Sequence, residues 1–395
     1  MCGHCLAVSV NRMTGSIERI LGLFVDESFP EGGIDASKSL WQKPGKGSAS
    51  GSDMFPGKVD VRYLRFLVEV LYREAKITGN RRYHQVADEH VRYMARIIRE
   101  DHPTWAMGNA LEMIGLHQQY SGHDDDLVER AKQVLDWARK REVTITTADG
   151  VSFTHFPCGY GFPYAKDVGW TNDLSMFGSG LVWAYELTGD ASILNDAKSF
   201  AEYFIQPWRP NAVAEDGYWH CGTWRDDLGS WVIGPAHYTG FESTDAYGDE
   251  ASWVVSTMSC IDFLVRLHRH ASDPRFLDRC LRGASWAFDS CQFEDGGIGL
   301  CGRDDEWLGL TGDAISQVAM LKPLVDSESA VFKRLLKGAR LSFGYLNREL
   351  PSAKIEEHGV KWVTHGTSID PLVNVGWLWV SAVLGILNGR DLGFS

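Results

Sequence analysis

Residues 171–206 read TNDLSMFGSGLVWAYELTGDASILNDAKSFAEYFIQ, a helical pair over 171–188 and 191–206 split by Gly189-Asp190. Glycine ends a helix cheaply because it alone adopts a left-handed backbone without strain. The same pattern recurs on either side. Before it, Leu64, Leu67, Val68, Leu71 and Tyr72 repeat at helical spacing, Gly79 stops that helix, and a second runs over about 80–99. A pair at 104–121 and 125–141 is split by Gly122 and Asp124-Asp125-Asp126. After it come 249–270 with 274–291, split by Asp273-Pro274, then 313–324 with 328–349. A last helix from Ser368 to Leu387 is almost wholly apolar, as a buried helix is. Helical hairpins of about 40 residues thus recur along the chain.

The links are asymmetric. Those within a hairpin are short, whereas 142–169, 207–248, 292–311 and 350–367 are long and rich in Gly and aromatics. Long structureless loops are uncommon unless they serve function. Hairpins closing into a toroid would send every long link to one face, where a site is expected. Residues 1–57 read differently. Leu6-Ala7-Val8-Ser9-Val10 is strand-like, Ile17-Glu18-Arg19-Ile20 alternates, and Lys43 to Ser52 is rich in Gly, Ser and Lys. The expected organisation is an irregular or β N-terminal segment at 1–57 and an all-α toroidal catalytic domain at 58–395.

The composition of the 395 residues is globular: 44% hydrophobic, 23% charged and 12% aromatic, with 15 Trp. A net charge of −13 and the lack of a basic stripe argue against a nucleic-acid partner. An anionic small ligand stays open, since a few local arginines can override the global field. No apolar run reaches the ~20 residues of a membrane span. Eight scattered Cys and no signal-like N-terminus fit a reduced, cytoplasmic protein, or a periplasmic or secreted one if a signal was removed. Cys2-Gly3-His4-Cys5 has dithiol spacing without the βαβ context that redox chemistry needs, and reads as incidental thiols. No metal-ligand spacing and no phosphate or dinucleotide loop is present, so no metal or cofactor is expected.

Chemistry-bearing residues cluster in the long links and at helix starts. Asp173 lies in the first turn of its helix, at the mouth of the expected ring. A carboxyl shielded there can act as a general acid, or it can simply complement the helix dipole. The link 207–248 holds Trp219-His220, Trp224-Arg225, Trp231 and His237-Tyr238. Flat rings beside polar partners suit sugar stacking, and they equally suit packing over the ring. Trp105 and Asn109 stand near another helix start; Arg303, Asp304 and Trp307 follow Asp295-Gly296-Gly297-Ile298-Gly299; His365 precedes the last helix. That glycine run forms a tight turn with positive φ.

Trp170-x-x-Asp173-Leu174-x-Met176, then an apolar helix and Leu187-Thr188-Gly189-Asp190, resembles the unsaturated glucuronyl and rhamnogalacturonyl hydrolases. The resemblance implies an (α/α)6 barrel that removes unsaturated uronic acid from oligosaccharides, with Asp173 as catalytic general acid/base and Trp170 beside the substrate. Gly248-Asp249-Glu250-Ala251-Ser252-Trp253 stands roughly where that family carries Trp-x-Arg-Gly-x-x-Trp, which is absent here; Asp249 or Asp304 is expected as an assisting carboxylate. The expected function is a glycosidase on an anionic oligosaccharide. Toroid-fold polysaccharide lyases offer the alternative, with Tyr238 and His237 as base and acid and Asn109 neutralising a uronate. A terpenoid-cyclase-like toroid and a non-catalytic scaffold stay open. Linkage and oligomeric state are not set by the sequence.

Overall fold

In a computed structural model the described residues are 3–34, 64–146, 150–157, 168–205, 217–219, 222–225, 230–233, 254–299, 303, 306–352 and 375–394. They form twelve α-helices and five short strands. The helices are α1 (Gly3–Glu27), α2 (Leu64–Thr78), α3 (Arg81–Ile97), α4 (Thr104–Ser121), α5 (Asp125–Arg139) and α6 (Thr171–Thr188). They continue as α7 (Ala191–Ile205), α8 (Val254–Ala271), α9 (Pro274–Cys291), α10 (Leu308–Leu321), α11 (Ala330–Glu349) and α12 (Val375–Asp391). Strands β1 (Val143–Thr146) and β2 (Ser152–His155) make an antiparallel pair, and β3 (Val168–Trp170), β4 (Gly222–Arg225) and β5 (Ser230–Ile233) make a three-stranded antiparallel sheet. Contacts divide the chain into one unit of Met1–Tyr93 with Ala287–Ser395 and a second of Met94–Trp286.

Helices of two kinds alternate. In α4 every residue from Thr104 to His117 is buried, in α6 every residue from Thr171 to Ala184, and in α10 every residue from Leu308 to Val318. A helix apolar all round must be enclosed by its neighbours. By contrast α5 buries one stripe, Leu127, Ala131, Val134, Leu135 and Ala138, and α7 and α11 do likewise. Each unit is therefore a layer of enclosed helices covered by a layer of one-faced ones.

Glycines set the spacing of the enclosed layer. A Cβ on Gly108 would lie 2.5 Å from the Met176 carbonyl oxygen and 2.6 Å from the Phe177 Cα, and one on Gly180 would lie 2.5 Å from the Gly108 Cα. Further along, Gly115 meets Trp183. Residue numbers climb together on both helices, so α4 and α6 are parallel. On the other side of α6, Gly178 abuts Phe263, Ser179 Oγ donates to Asp262 Oδ2 at 2.9 Å, and His270 Nε2 meets Glu186 Oε1 at 2.7 Å. Helix α8 is therefore parallel too. In the first unit Gly312 abuts Ser381 and Ala382, and Asn388 Nδ2 donates to Ser316 Oγ at 2.7 Å, making α10 and α12 parallel.

Turns following two covering helices, α1 and α9, share one design that is hidden in the sequence. Phe29 N–H donates to Gly33 O and Gly32 N–H to Phe29 O; Phe293 and Gly297, then Gly296 and Phe293, repeat these bonds. The isolated bridges Ser28–Ile34 and Gln292–Ile298 flank the two turns. In each, a positive-φ glycine presses against the next covering helix, Gly32 on Glu89 O and Gly296 on Leu341 O. Gly217 meets Arg282 O in the same way. Positive φ at Gly296 matches the expected tight turn, which is tied down further by Gln292 Nε2 donating to Gly338 O at 2.9 Å.

Several expectations change. The strand-like N-terminus is helix α1, because over a longer window Met13, Ile17, Ile20, Leu21 and Phe24 recur at helical spacing and all are buried. The boundary expected at residue 57 lies outside the described residues. Link 142–169 carries β1, β2 and β3, and 207–248 carries β4 and β5. Helix α10 starts at Leu308 rather than 313, since Gly312, a poor helix former, is kept for close packing against α12. Gly79, Gly122 and Gly189 end their helices with φ of 75°, 100° and 69° as expected. No described helix is long and apolar enough to cross a membrane.

His90 locks the first of these turns. Gly33 N–H donates to its Nδ1 at 2.7 Å, so the neutral ring carries its proton on Nε2, facing Ser28 Oγ at 3.1 Å. Burial, with Arg82 adding to it, holds the ring pKa down at about 3. The unfolded chain takes up a proton near pH 6.5 and the native one does not until about 3. Stability is therefore full above about pH 6.5 and falls with acid, by on the order of 1.4 kcal/mol per pH unit within that window. Thermal unfolding of His90→Asn, which keeps an acceptor for Gly33, should show a flatter acid limb than wild type. Equal acid slopes would refute the assignment.

Candidate functional site

Asp173 is the third residue of α6 and is fully buried. Strand β3 leads straight into this helix, pairing Trp170 with Thr223 and Val168 with Arg225 on β4. Backbone pairing thus ties the aromatic link 207–248 to the head of α6, which its sequence did not disclose. Trp105 and Asn109 lie on α4, both fully buried. The pairings of α6 with its two neighbours, continued toward the N-termini, set Thr104 of α4 and Thr257 of α8 level with Asp173. The first turns of three parallel helices thus start together in this unit, and their partial positive charges favour a carboxylate there.

Three buried polar atoms at these starts have no hydrogen-bond partner: Thr104 Oγ1, Asn172 Oδ1 and Ser256 Oγ. Elsewhere the chain satisfies such groups by back-bonding, as Thr311 Oγ1 does to Trp307 O at 2.7 Å and Ser316 Oγ to Gly312 O at 2.9 Å. A hydroxyl on one of the first three residues of a helix has no helical carbonyl four residues back to use. Each unpaired buried group costs about 1–3 kcal/mol. Nothing in a one-dimensional reading marks them, since Thr, Asn and Ser at helix starts are ordinary capping residues.

Trp219 departs from its expected role as a sugar platform. It is fully buried, its indole N–H donates to Phe204 O at 2.9 Å, and its backbone N–H donates to Thr257 Oγ1 at 3.1 Å. The Arg279 guanidinium covers one face at 4.3 Å. Trp219 anchors its link between α7, α8 and α9 because those contacts consume both its polar handle and its ring. Arg279 itself is 3% exposed, and its guanidinium nitrogens have no hydrogen-bond partner. Burial lowers its pKa to about 10. Replacing a buried unpaired ion by a hydrophobe is often stabilising by about 1–4 kcal/mol. Arg279→Met should therefore leave the melting temperature unchanged or raise it by a few degrees. A large drop by calorimetry would reveal an acceptor.

In the other unit Trp307 is nearly fully buried ahead of α10, its backbone N–H donating to Ile298 O at 2.9 Å. Arg303 is exposed and donates to Asp289 O at 3.2 Å. Two buried acids there, Glu306 and Asp313, escaped the sequence reading. The expected helix began at Asp313, whereas α10 begins at Leu308, so Asp313 lies more than a turn inside the helix. His220, His237, Tyr238, Asp249, Asp304 and His365 lie outside the described residues, and only the backbone of Trp170, Trp224 and Arg225 is described. Among the described residues no cluster of three metal-ligating side chains occurs.

No protein family and no curated protein matches this chain in sequence. Solved structures do match in fold. An inactive variant of the α-1,6-mannanase of Salegentibacter sp. HEL1_6, in complex with α-1,6-mannotetrose, superposes with a TM-score of 0.62 at 12% identity, covering 96% of this chain and 98% of that one. The unsaturated glucuronyl hydrolase of Bacillus sp. GL1, responsible for the degradation of glycosaminoglycan, gives 0.64 at 15%, covering 96% and 95%. D-mannose isomerase gives 0.60 at 10%, covering 95% and 96%. The chain has the (α/α)6 fold of these carbohydrate-active enzymes.

Proposed function

We propose that this chain is a glycoside hydrolase that acts on a uronic-acid-containing oligosaccharide with Asp173 as general acid/base. One observation carries the reading: Asp173 is fully buried in the first turn of α6, level with the starts of two parallel helices. A carboxyl so enclosed is screened from bulk water, as a group that serves a bound sugar as general acid/base must be. Fold neighbours that include an unsaturated glucuronyl hydrolase, and the residues around Asp173, support the substrate class. Asp249, which belongs to the same unit, would supply the second carboxylate.

The test follows the conjugated C4–C5 double bond of an unsaturated chondroitin disaccharide by its ultraviolet absorbance. Hydrolysis destroys that absorbance, and no loss with the purified protein would sink the uronate reading. A second reading, a neutral α-linked glycan, is favoured by the hydroxyl and amide groups heading α4, α6 and α8 and by a mannanase neighbour crystallised with mannotetrose. It predicts cleavage of an α-1,6-mannan instead. Elimination through His237 and Tyr238 predicts new absorbance from an intact uronate polymer.

A further inference from the structure

Helix faces set three unpartnered polar atoms of the second unit level with Asp173, two on the α6–α8 side and one on the α4–α6 side. Thr104 lies four residues before Gly108 and eleven before Gly115, the two α4 glycines that touch α6, so it faces α6 as they do. Asn172 lies seven residues before Ser179, whose hydroxyl bonds Asp262 of α8, so it faces α8. Ser256 lies seven before Phe263, which abuts Gly178 of α6, so it faces α6. Counting back two turns from those contacts sets Asn172 and Ser256 opposite one another, with Thr104 level on the far flank. Yet none of the three bonds to any neighbour. Two are fully buried and Asn172 is 8% exposed. Asp173 is the next residue along.

We infer that Thr104, Asn172 and Ser256 form a hydroxyl-reading set for the pyranose ring bound beside Asp173. The inference rests on the glycosidase reading above and deepens it by naming what recognises the sugar. The chemistry of the groups suits a sugar. Two hydroxyls donate or accept, and the Asn172 side chain supplies an amide, a combination that matches ring hydroxyls. All three are neutral, so they select by hydroxyl arrangement rather than by charge. Screened from bulk water, each bond is read at low dielectric, where a missing partner is penalised most. Left unpaired in the free protein, they are also a standing cost to stability, the usual signature of a site held for a ligand.

The experiment compares wild type with Thr104→Val, Ser256→Ala and Asp173→Asn. It uses the unsaturated chondroitin disaccharide and α-1,6-mannotriose as probes. Melting temperature with and without each sugar is read beside kcat/KM. Thr104→Val and Ser256→Ala should melt at or above the wild-type temperature without sugar. Each should lose about tenfold in kcat/KM and most of the sugar-induced shift, since one hydrogen bond is worth about that factor. Thr104→Ser should restore both. Higher melting with unchanged kcat/KM and sugar response, while Asp173→Asn is inactive, overturns the hydroxyl set alone. Full activity of Asp173→Asn beside losses in the other two overturns the Asp173 role and keeps the set. Absence of any sugar response in wild type overturns both.

Discussion

Asp173→Asn is expected to lower hydrolytic turnover by about 10²–10⁴-fold, the range general acid–base catalysis contributes. Its melting temperature should stay near that of wild type. The change is isosteric, so it opens no cavity around this fully buried side chain. It removes a negative charge from the first turn of α6, and such a charge is worth only about 0.3–1 kcal/mol to the helix. The two roles open to Asp173 thus separate cleanly. A residue that merely complements the dipole would cost a little stability and leave turnover intact. A general acid would do the reverse. Steady-state kinetics on an unsaturated uronide, run beside calorimetry, decides between them, and wild-type turnover in the variant would end the proposal.

Gly108→Ala should destabilise the protein by about 3 kcal/mol or more, at the upper end of overpacking costs. The new methyl group would sit 2.5 Å from the Met176 carbonyl oxygen and 2.6 Å from the Phe177 Cα, both backbone atoms that cannot swing aside. Helices α4 and α6 would have to part. Gly22→Ala is the control, because that glycine also lies in a helix, α1, and a Cβ there meets nothing within 4 Å. Alanine there should stabilise by roughly 0.5–1 kcal/mol through lower chain entropy. The same chemical change is thus expected to act with opposite signs at two helical sites. Denaturant unfolding measures both, and a mild Gly108→Ala would refute the close approach. Because α4 carries Thr104 and α6 carries Asp173, that variant should also lose activity beyond its loss of stability.

Much of the fold was legible because helix periodicity and helix stops are local. Gly79 and Gly189 terminate α2 and α6 where their sequences say, and α4 and α6 keep their expected bounds. Helix α1 misleads a local reading because two four- and five-residue windows around Val8 and Ile17 look strand-like, while the pattern from Met13 to Phe24 needs twelve residues to show. Trp219 misleads for another reason. Its neighbours in sequence are aromatic and polar, as in a sugar platform, but Phe204, Thr257 and Arg279 come from three different helices.

By itself the sequence determined that this is an all-α protein of recurring hairpins, and it singled out Asp173, because short-range spacing encodes both. Only the tertiary structure decided what surrounds that carboxyl. Gly108, Gly178 and Gly180 bring α4, α6 and α8 so close that their first turns start level. Three unremarkable side chains, Thr104, Asn172 and Ser256, are thereby buried without partners. Partnering depends on distances between residues some seventy to eighty-five positions apart, set by backbone packing, and no local pattern carries that information.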